Sequence, residues 1–205
     1  LDDEPLVRSR LQLAIGEVYV NLGMYAEAER QFARARDALA PLVPPDDVDR
    51  LAAERGIARA ALRSANLAEA EPVLTRVFET ARRRYGETHA LYADTANDLA
   101  SLHYFMGRHD RAIEMYEVAH RARAAAYGPD AATTLQALTN KAVVQAVIGR
   151  FDDAESTLRR VIDRVSARHG PDHPAVLNAQ QNLATMYTNS GKPDEAMTVY
   201  RDILP

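Results

Sequence analysis

One short turn recurs along this chain at an interval that never varies. "GMYAEAE" begins at Gly23, "GRHDRAI" at Gly107, "GRFDDAE" at Gly149 and "GKPDEAM" at Gly191, with a weaker copy, "ANLAEAE", at Ala65. Aligned on these positions, the five copies stand 42 residues apart without insertion or deletion. A fixed period of this size marks a stacked-repeat architecture. Each unit is too small to bury its own apolar face, so a continuous core forms only between neighbours.

Within the period, fixed columns hold fixed kinds of residue. Five residues after the turn stand Ala28, Ala70, Ala112, Ala154 and Ala196, and seven before it stand Gly16, Ala58, Ala100, Ala142 and Ala184. Small side chains at regular helical positions let two helix backbones approach closely. Nine residues after the turn come Phe32, Leu74, Tyr116, Leu158 and Tyr200; eight before it come Ile15, Ile57, Leu99, Lys141 and Leu183. Lys141 is the exception in its column. Two outcomes are open for it: its stem snorkels while the ammonium reaches an edge, or the fourth pair is locally loosened.

Each copy therefore reads as two helices joined by a tight turn. The glycine ends the first helix in the left-handed conformation. Asp152 and Glu155 have capping-box spacing at the start of the next helix. Ala65, standing where the other copies have glycine, predicts a less regular turn in the second copy. A second punctuation, "YGETHA" from 85, "YGPDAA" from 127 and "HGPDHP" from 169, closes the second helix at Gly86, Gly128 and Gly170. It also puts Pro174 at the first position of a following helix. The first copy substitutes "PPDD" from Pro44. Ten helices are predicted, near 6–22, 25–41, 47–64, 67–84, 89–106, 109–126, 131–148, 151–168, 173–190 and 193–204. No segment alternates as a strand does.

Composition narrows the function classes. Cysteine is absent, which removes disulfides, thiol catalysis and cysteine-based zinc sites. The formal net charge of −4 argues against a general nucleic-acid binder. Lysine occurs only at 141 and 192, so the basic residues are almost all arginine. No run approaches the roughly 18 apolar residues of a membrane span, and the acidic start "LDDEPLVRSR" has no signal-peptide pattern. The chain lacks an initiator Met and reads as an excised or processed piece of something longer; the cytoplasm is the default compartment.

Gly16, Tyr19, Gly23, Tyr25, Ala28, Phe32 and Ala35 fall on the pattern of the tetratricopeptide repeat (TPR) family, which the chain resembles along essentially its whole length. The long period, the loop "GPDHP" (170–174) and the run "NLATMY" (182–187) are similar to the subclass found in kinesin light chains. "VYVNLGMYAEAERQF" (18–32) looks like the TPR regions of bacterial multidomain signalling proteins. The resemblance implies an all-α fold, a right-handed superhelical solenoid of five TPR helix-turn-helix repeats. The expected repeats are 4–45, 46–87, 88–129, 130–171 and 172–205, the last one truncated.

The resemblance also implies that the first helix of each pair lines a concave groove. The expected partner-binding residues there are Arg55, Arg59 and Arg63, then Asp94, Asn97 and Asp98, then Asn140, Asn178, Gln181 and Asn182. The three arginines are spaced i, i+4, i+8 and form one stripe. They are either a ligand site or a solvated, internally paired face, with Arg59 placed to meet Asp94 or Asp98. Asn and Gln both donate and accept, which suits the main chain of an extended peptide. Kinesin-light-chain-like grooves use asparagine at the Asn140 and Asn182 columns; Ala14, Gly56 and Asp98 depart from that column, so an amide ladder is expected only in the C-terminal half. Arg10 alone matches a chaperone carboxylate clamp, and that role is not expected.

No catalytic motif, cofactor-binding fingerprint or metal-ligand spacing is present. His169 and His173 are separated by helix breakers and belong to the repeat punctuation. The expected function is a non-catalytic protein-protein interaction scaffold. It would take an extended peptide or partner helix in the groove, with no nucleic acid, membrane, metal or cofactor. The alternative is a homo-oligomer stacking through the C-terminal helix, where Val199, Ile203 and Leu204 lack a following repeat. A further expectation is that the acidic start "LDDEP" can reach the arginine stripe.

Overall fold

The computed structural model describes residues 4–203. Ten helices follow one another: α1 (Pro5–Asn21), α2 (Tyr25–Leu39), α3 (Val48–Arg63), α4 (Leu67–Tyr85), α5 (Ala90–Phe105), α6 (His109–Tyr127), α7 (Ala132–Val147), α8 (Phe151–His169), α9 (Pro174–Asn189) and α10 (Pro193–Ile203). The predicted elements are all present, displaced at their ends by a residue or two. Leu204 and the first three residues of "LDDEP" lie outside the described residues.

Every helix packs on the next in sequence, and alternate helices also approach each other: α1 with α3, α3 with α5, and α7 with α9. That is the stacking the repeat period requires. The alanine column is buried in all five copies, and Phe32, Leu74, Tyr116 and Leu158 are buried between the helices they join. Burying a side chain of that size contributes roughly 1.5–3 kcal/mol. Phe32 is the bulkiest apolar filler in its column, and two glycines make room for it. A Cβ on Gly16 would come within 2.6 Å of its ring, and one on Gly56 within 2.5 Å. Gly56 therefore departs from the asparagine column for a packing reason.

The turn inside each pair is the same five times. The residue after the turn position donates its backbone N–H five residues back: Met24 to Tyr19, Asn66 to Ala61, Arg108 to His103, Arg150 to Gln145 and Lys192 to Tyr187, all at 2.8–2.9 Å. This is a Schellman-type closure. Ala65 makes it too, at φ 62, so the less regular turn expected of the second copy is not found. Closure by the backbone forces the left-handed conformation even on a residue with a Cβ.

The capping box expected at Asp152 and Glu155 is also absent. Helix α8 starts at Phe151, two residues before a cap at Asp152 would begin it, with Arg150 as its N-cap and no side-chain cap. The turn is so tight that the residue closing one helix opens the next. Asp152 and Asp153 instead lie in the first turn, where their charge suits the helix dipole. Side-chain caps occur between pairs. Asp47 accepts from the N–H of Asp49, and the Nδ1 atoms of His89 and His173 accept from the N–H of Leu91 and Ala175. Among the described residues, no helix is long and apolar enough to cross a membrane.

Candidate functional site

The first helices bring their inner faces together around a recess of about 410 Å³. Its lining runs from Glu17 and Asn21 on α1, through Arg55, Arg59 and Arg63 on α3, to Asp94, Asn97, Asp98 and Ser101 on α5, and Gln136 and Asn140 on α7. Seven of the ten predicted groove residues thus share one space, contributed by successive repeats. The other three do not. Asn178 borders a separate, more apolar recess with Leu135 and His173. Asn182 borders a small one with Val143, Val147 and Met186. Gln181 is exposed on α9 and lines neither of these.

The pairing differs from the expected register. Arg59 does not meet Asp94 or Asp98; it pairs backwards with Glu17 on α1. Arg55 takes the two aspartates, donating to Asp98 at 2.6 Å with Asp94 at 3.8 Å. The pairs join nearly equivalent positions of successive copies, 42 residues apart for Glu17 and Arg59 and 43 for Arg55 and Asp98, so the facing residues follow the repeat columns rather than lying a turn off them. Burial alone would lower the pKa of Arg55. The charges of Asp98 and Asp94 and the bond to Asp98 outweigh it, so the pKa is raised and the guanidinium stays charged. Arg63, at the open end, makes no ion pair or hydrogen bond among the described residues, and neither do the amides of Gln136 and Asn140. Ser101 is engaged, donating to the carbonyl of Asn97 and meeting the Tyr116 hydroxyl at 3.0 Å.

The main residue missed by sequence reasoning is Arg123. It lies on α6, the second helix of its pair, whereas the groove residues were expected from first helices alone. Yet Arg123 is 5% exposed and reaches the floor of the recess. It donates to Asp94 at 3.0 Å, to Asn97 Oδ1 at 3.1 Å and to the Thr133 carbonyl at 2.9 Å. These bonds tie α6 to α5 and to the start of α7. Among successive first helices, the close approach is weakest here: α5 and α7 stand farther apart than the other pairs, with Arg123 between them. A signal existed, because the same column holds Leu39, Ala81 and Val165 in the other copies, all fully buried. Tyr127 completes the cluster by donating to Asp94 at 2.8 Å. Its pKa is pushed up to about 12 by burial and then by that bond.

Lys141, the other odd member of its column, is settled by a single contact. It reaches Glu117 on α6 at 2.6 Å, so the stem snorkels and the ammonium is paired. On α9 the amides are partly self-engaged: Asn182 donates to the Asn178 carbonyl at 2.9 Å and to its Oδ1 at 3.3 Å. Arg10 is held by Asp49 at 2.7 Å. Chemically, the recess offers fixed charges of both signs and four lining polar side chains without a partner among the described residues, Asn21, Arg63, Gln136 and Asn140. Such an arrangement binds by charge and hydrogen bonding. Among the described residues, no cluster of three or more histidines and carboxylates is placed to hold a metal ion.

The profile of the tetratricopeptide repeat matches residues 49–125, 99–163 and 133–205. Several solved structures share the fold. A kinesin-light-chain-type protein of Podosopora anserina with nearly identical TPR-like repeats superposes with a TM-score of 0.82. It is 22% identical, over 97% of this chain and 94% of that one. BtubC (BKLC) from P. vanneervenii has a TM-score of 0.79 at 16% identity, covering 98% of this chain and 80% of its own. A Rap protein complexed with Competence and Sporulation Factor has a TM-score of 0.68 at 13% identity, covering 97% and 63% respectively. No curated protein matches the sequence.

Proposed function

Since the chain belongs to the tetratricopeptide repeat family, a fold of interaction scaffolds, we propose that it is a non-catalytic module holding an extended peptide or a partner helix in the recess of its first helices. The repeats would divide as 4–45, 46–87, 88–129, 130–171 and 172–205. The observation that carries the reading is the unengaged edge of the recess. Arg63, Gln136 and Asn140 come from two first helices, α3 and α7, on either side of α5. They face one space without internal partners, while nearly every other charge around them is satisfied. A side-chain amide donates and accepts at once, as a peptide main chain requires. Asn178, Gln181 and Asn182 would extend the track along α9. The Rap structure supports the reading in kind, since a chain of related fold was solved with a bound factor. The resemblance of residues 18–32 to bacterial multidomain regulators would make the module a recruitment region of a larger signalling protein.

The test is to pan a displayed random-peptide library on the native chain and counter-select on an Arg63→Glu/Asn140→Ala variant of unchanged helicity. Peptides bound by the native chain at least tenfold more tightly than by the variant support the recess. Peptides held equally by both would move the site elsewhere.

A further inference from the structure

Two of the internal copies tie the approach to their first helix to their own second helix by the same ion pair. In the second copy Arg84 meets Asp46 at 3.3 Å, and in the fourth Arg168 meets Asp130 at 2.6 Å. The third copy, between them, holds Thr88 and Ala126 in those two columns. Arg164, the second arginine on Asp130 at 2.9 Å, is matched there by Ala122. The tie is missing from both sides at once, and a cleft of about 270 Å³ opens beside Thr88 and Ala122.

Two donors line this cleft without an acceptor. Tyr92 on α5 is 5% exposed, with its ring stacked on Phe78 at a centroid distance of 4.6 Å. Its hydroxyl makes no hydrogen bond among the described residues. Burial raises the pKa of that hydroxyl above its ordinary 10.0, so it keeps its proton and can donate. Arg121 on α6 forms no ion pair or hydrogen bond among the described residues. Its charge helps to hold the Glu117 carboxyl low, but that carboxylate is taken by Lys141 at 2.6 Å. The Arg121 column is acidic in other copies, with Asp37, Glu79 and Asp163. The third copy has therefore lost an acid at Thr88 and gained a cation at Arg121. Glu87, the carboxylate on the cleft wall, is already bonded by Arg82 at 2.9 Å. The rest of the wall is apolar, from Val118, Ala122 and Ala125.

We propose that this cleft binds a carboxylate carried on a short aliphatic chain. Arg121 would hold the carboxylate by charge, and Tyr92 would donate to it from the buried end. The aliphatic chain would lie against Val118, Ala122 and Ala125. An ionised acceptor strengthens both bonds, and a few polar groups in an apolar concavity are the usual make-up of a small-ligand site. The ligand takes the place that Asp46 and Asp130 fill in their own copies. A free carboxylic acid and the glutamate side chain of a partner offer the same chemistry. The site is separate from the recess of the first helices, since no residue lines both.

NMR titration of the backbone amide shifts tests this with butyrate, its neutral amide butyramide, and the blocked peptide acetyl-Ala-Glu-Ala-amide. Butyrate should shift the amides around Tyr92 and Arg121 along a curve that saturates in the millimolar range, and butyramide should not. Arg121→Gln should weaken butyrate binding about tenfold or more, and Tyr92→Phe should weaken it several-fold. Thr88→Asp/Ala126→Arg, which rebuilds the tie of the neighbouring copies, should abolish it. Arg63→Glu/Asn140→Ala, at the other recess, should leave it unchanged. Circular dichroism checks that each variant folds. Saturation by butyrate alone, or by butyrate at the lower concentration, assigns a free acid. Saturation by the peptide at an equal or lower concentration assigns a partner's glutamate. Saturation by neither overturns the proposal. So does an equal response to butyramide, or undiminished binding by Arg121→Gln or by the rebuilt double variant.

Discussion

Arg123 donates to Asp94 at 3.0 Å from a helix position that the other copies fill with Leu39, Ala81 or Val165. A buried cation in an apolar column is tolerated only because every face of its guanidinium meets an acceptor. Removing it leaves Asp94 with Arg55 at 3.8 Å and the Tyr127 hydroxyl. Breaking a buried pair from one side costs about 3–5 kcal/mol, whereas replacing both partners by apolar groups is often neutral. Arg123→Leu should therefore lower stability on the order of 3 kcal/mol, and Arg123→Leu/Asp94→Leu should recover most of it. Urea denaturation of the two single variants and the double variant measures the coupling directly.

Phe32 and Gly56 should prove interdependent. A methyl group at Gly56 strikes the Phe32 ring at 2.5 Å, and overpacking of this kind costs about 1–3 kcal/mol. Phe32→Leu takes the residue found at positions 74 and 158. In the Gly56→Ala background it should relieve the clash, so the double variant is more stable than the sum of the two losses. Strict additivity in the denaturation midpoints would contradict the packing described.

Ala65 occupies a left-handed conformation at φ 62, which costs a non-glycine residue roughly 1–2 kcal/mol. Ala65→Gly should raise stability by about 1 kcal/mol with an unchanged denaturant slope. A loss would mean that the flexibility glycine adds to the unfolded chain outweighs the strain removed.

Acid should weaken the fold in two stages. Burial, aided by Arg108, lowers the pKa of His103 from its ordinary 6.5. Burial also lowers that of His120, against the pull of its bond to the Thr134 carbonyl. Below about pH 6.5 the unfolded chain takes up protons that the folded chain refuses, so stability present above that pH is lost as pH falls. Glu117, held low by the hydrogen bond from Lys141, and Glu155, held low by those from Tyr187 and Arg159, do the same below their ordinary 4.5. Thermal melts should be level between about pH 7 and 8, decline below about 6.5, and fall more steeply below about 4.5. His103→Gln/His120→Gln should flatten the first decline alone.

The period, the helix count and the identity of the small and large columns were legible in the residues. Each depends on local spacing: about 3.6 residues per turn, a glycine where the backbone reverses, an alanine where two helices touch. The arginine stripe and its acidic facing residues were legible for the same reason. Which arginine meets which carboxylate was not: the pairs join residues 42 and 43 positions apart, nearly one column of successive copies, and only the stacked array shows that side chains face each other along the columns rather than a turn off them. Arg123 shows the limit best. Its column marked it as anomalous, but only packing decides whether an odd cation escapes to solvent, as the stem of Lys141 allows toward Glu117, or turns inward. Arg123 turned inward because Asp94, Asn97 and the Thr133 carbonyl, supplied by two separate helices, converge on one point. Convergence of that kind exists only in three dimensions.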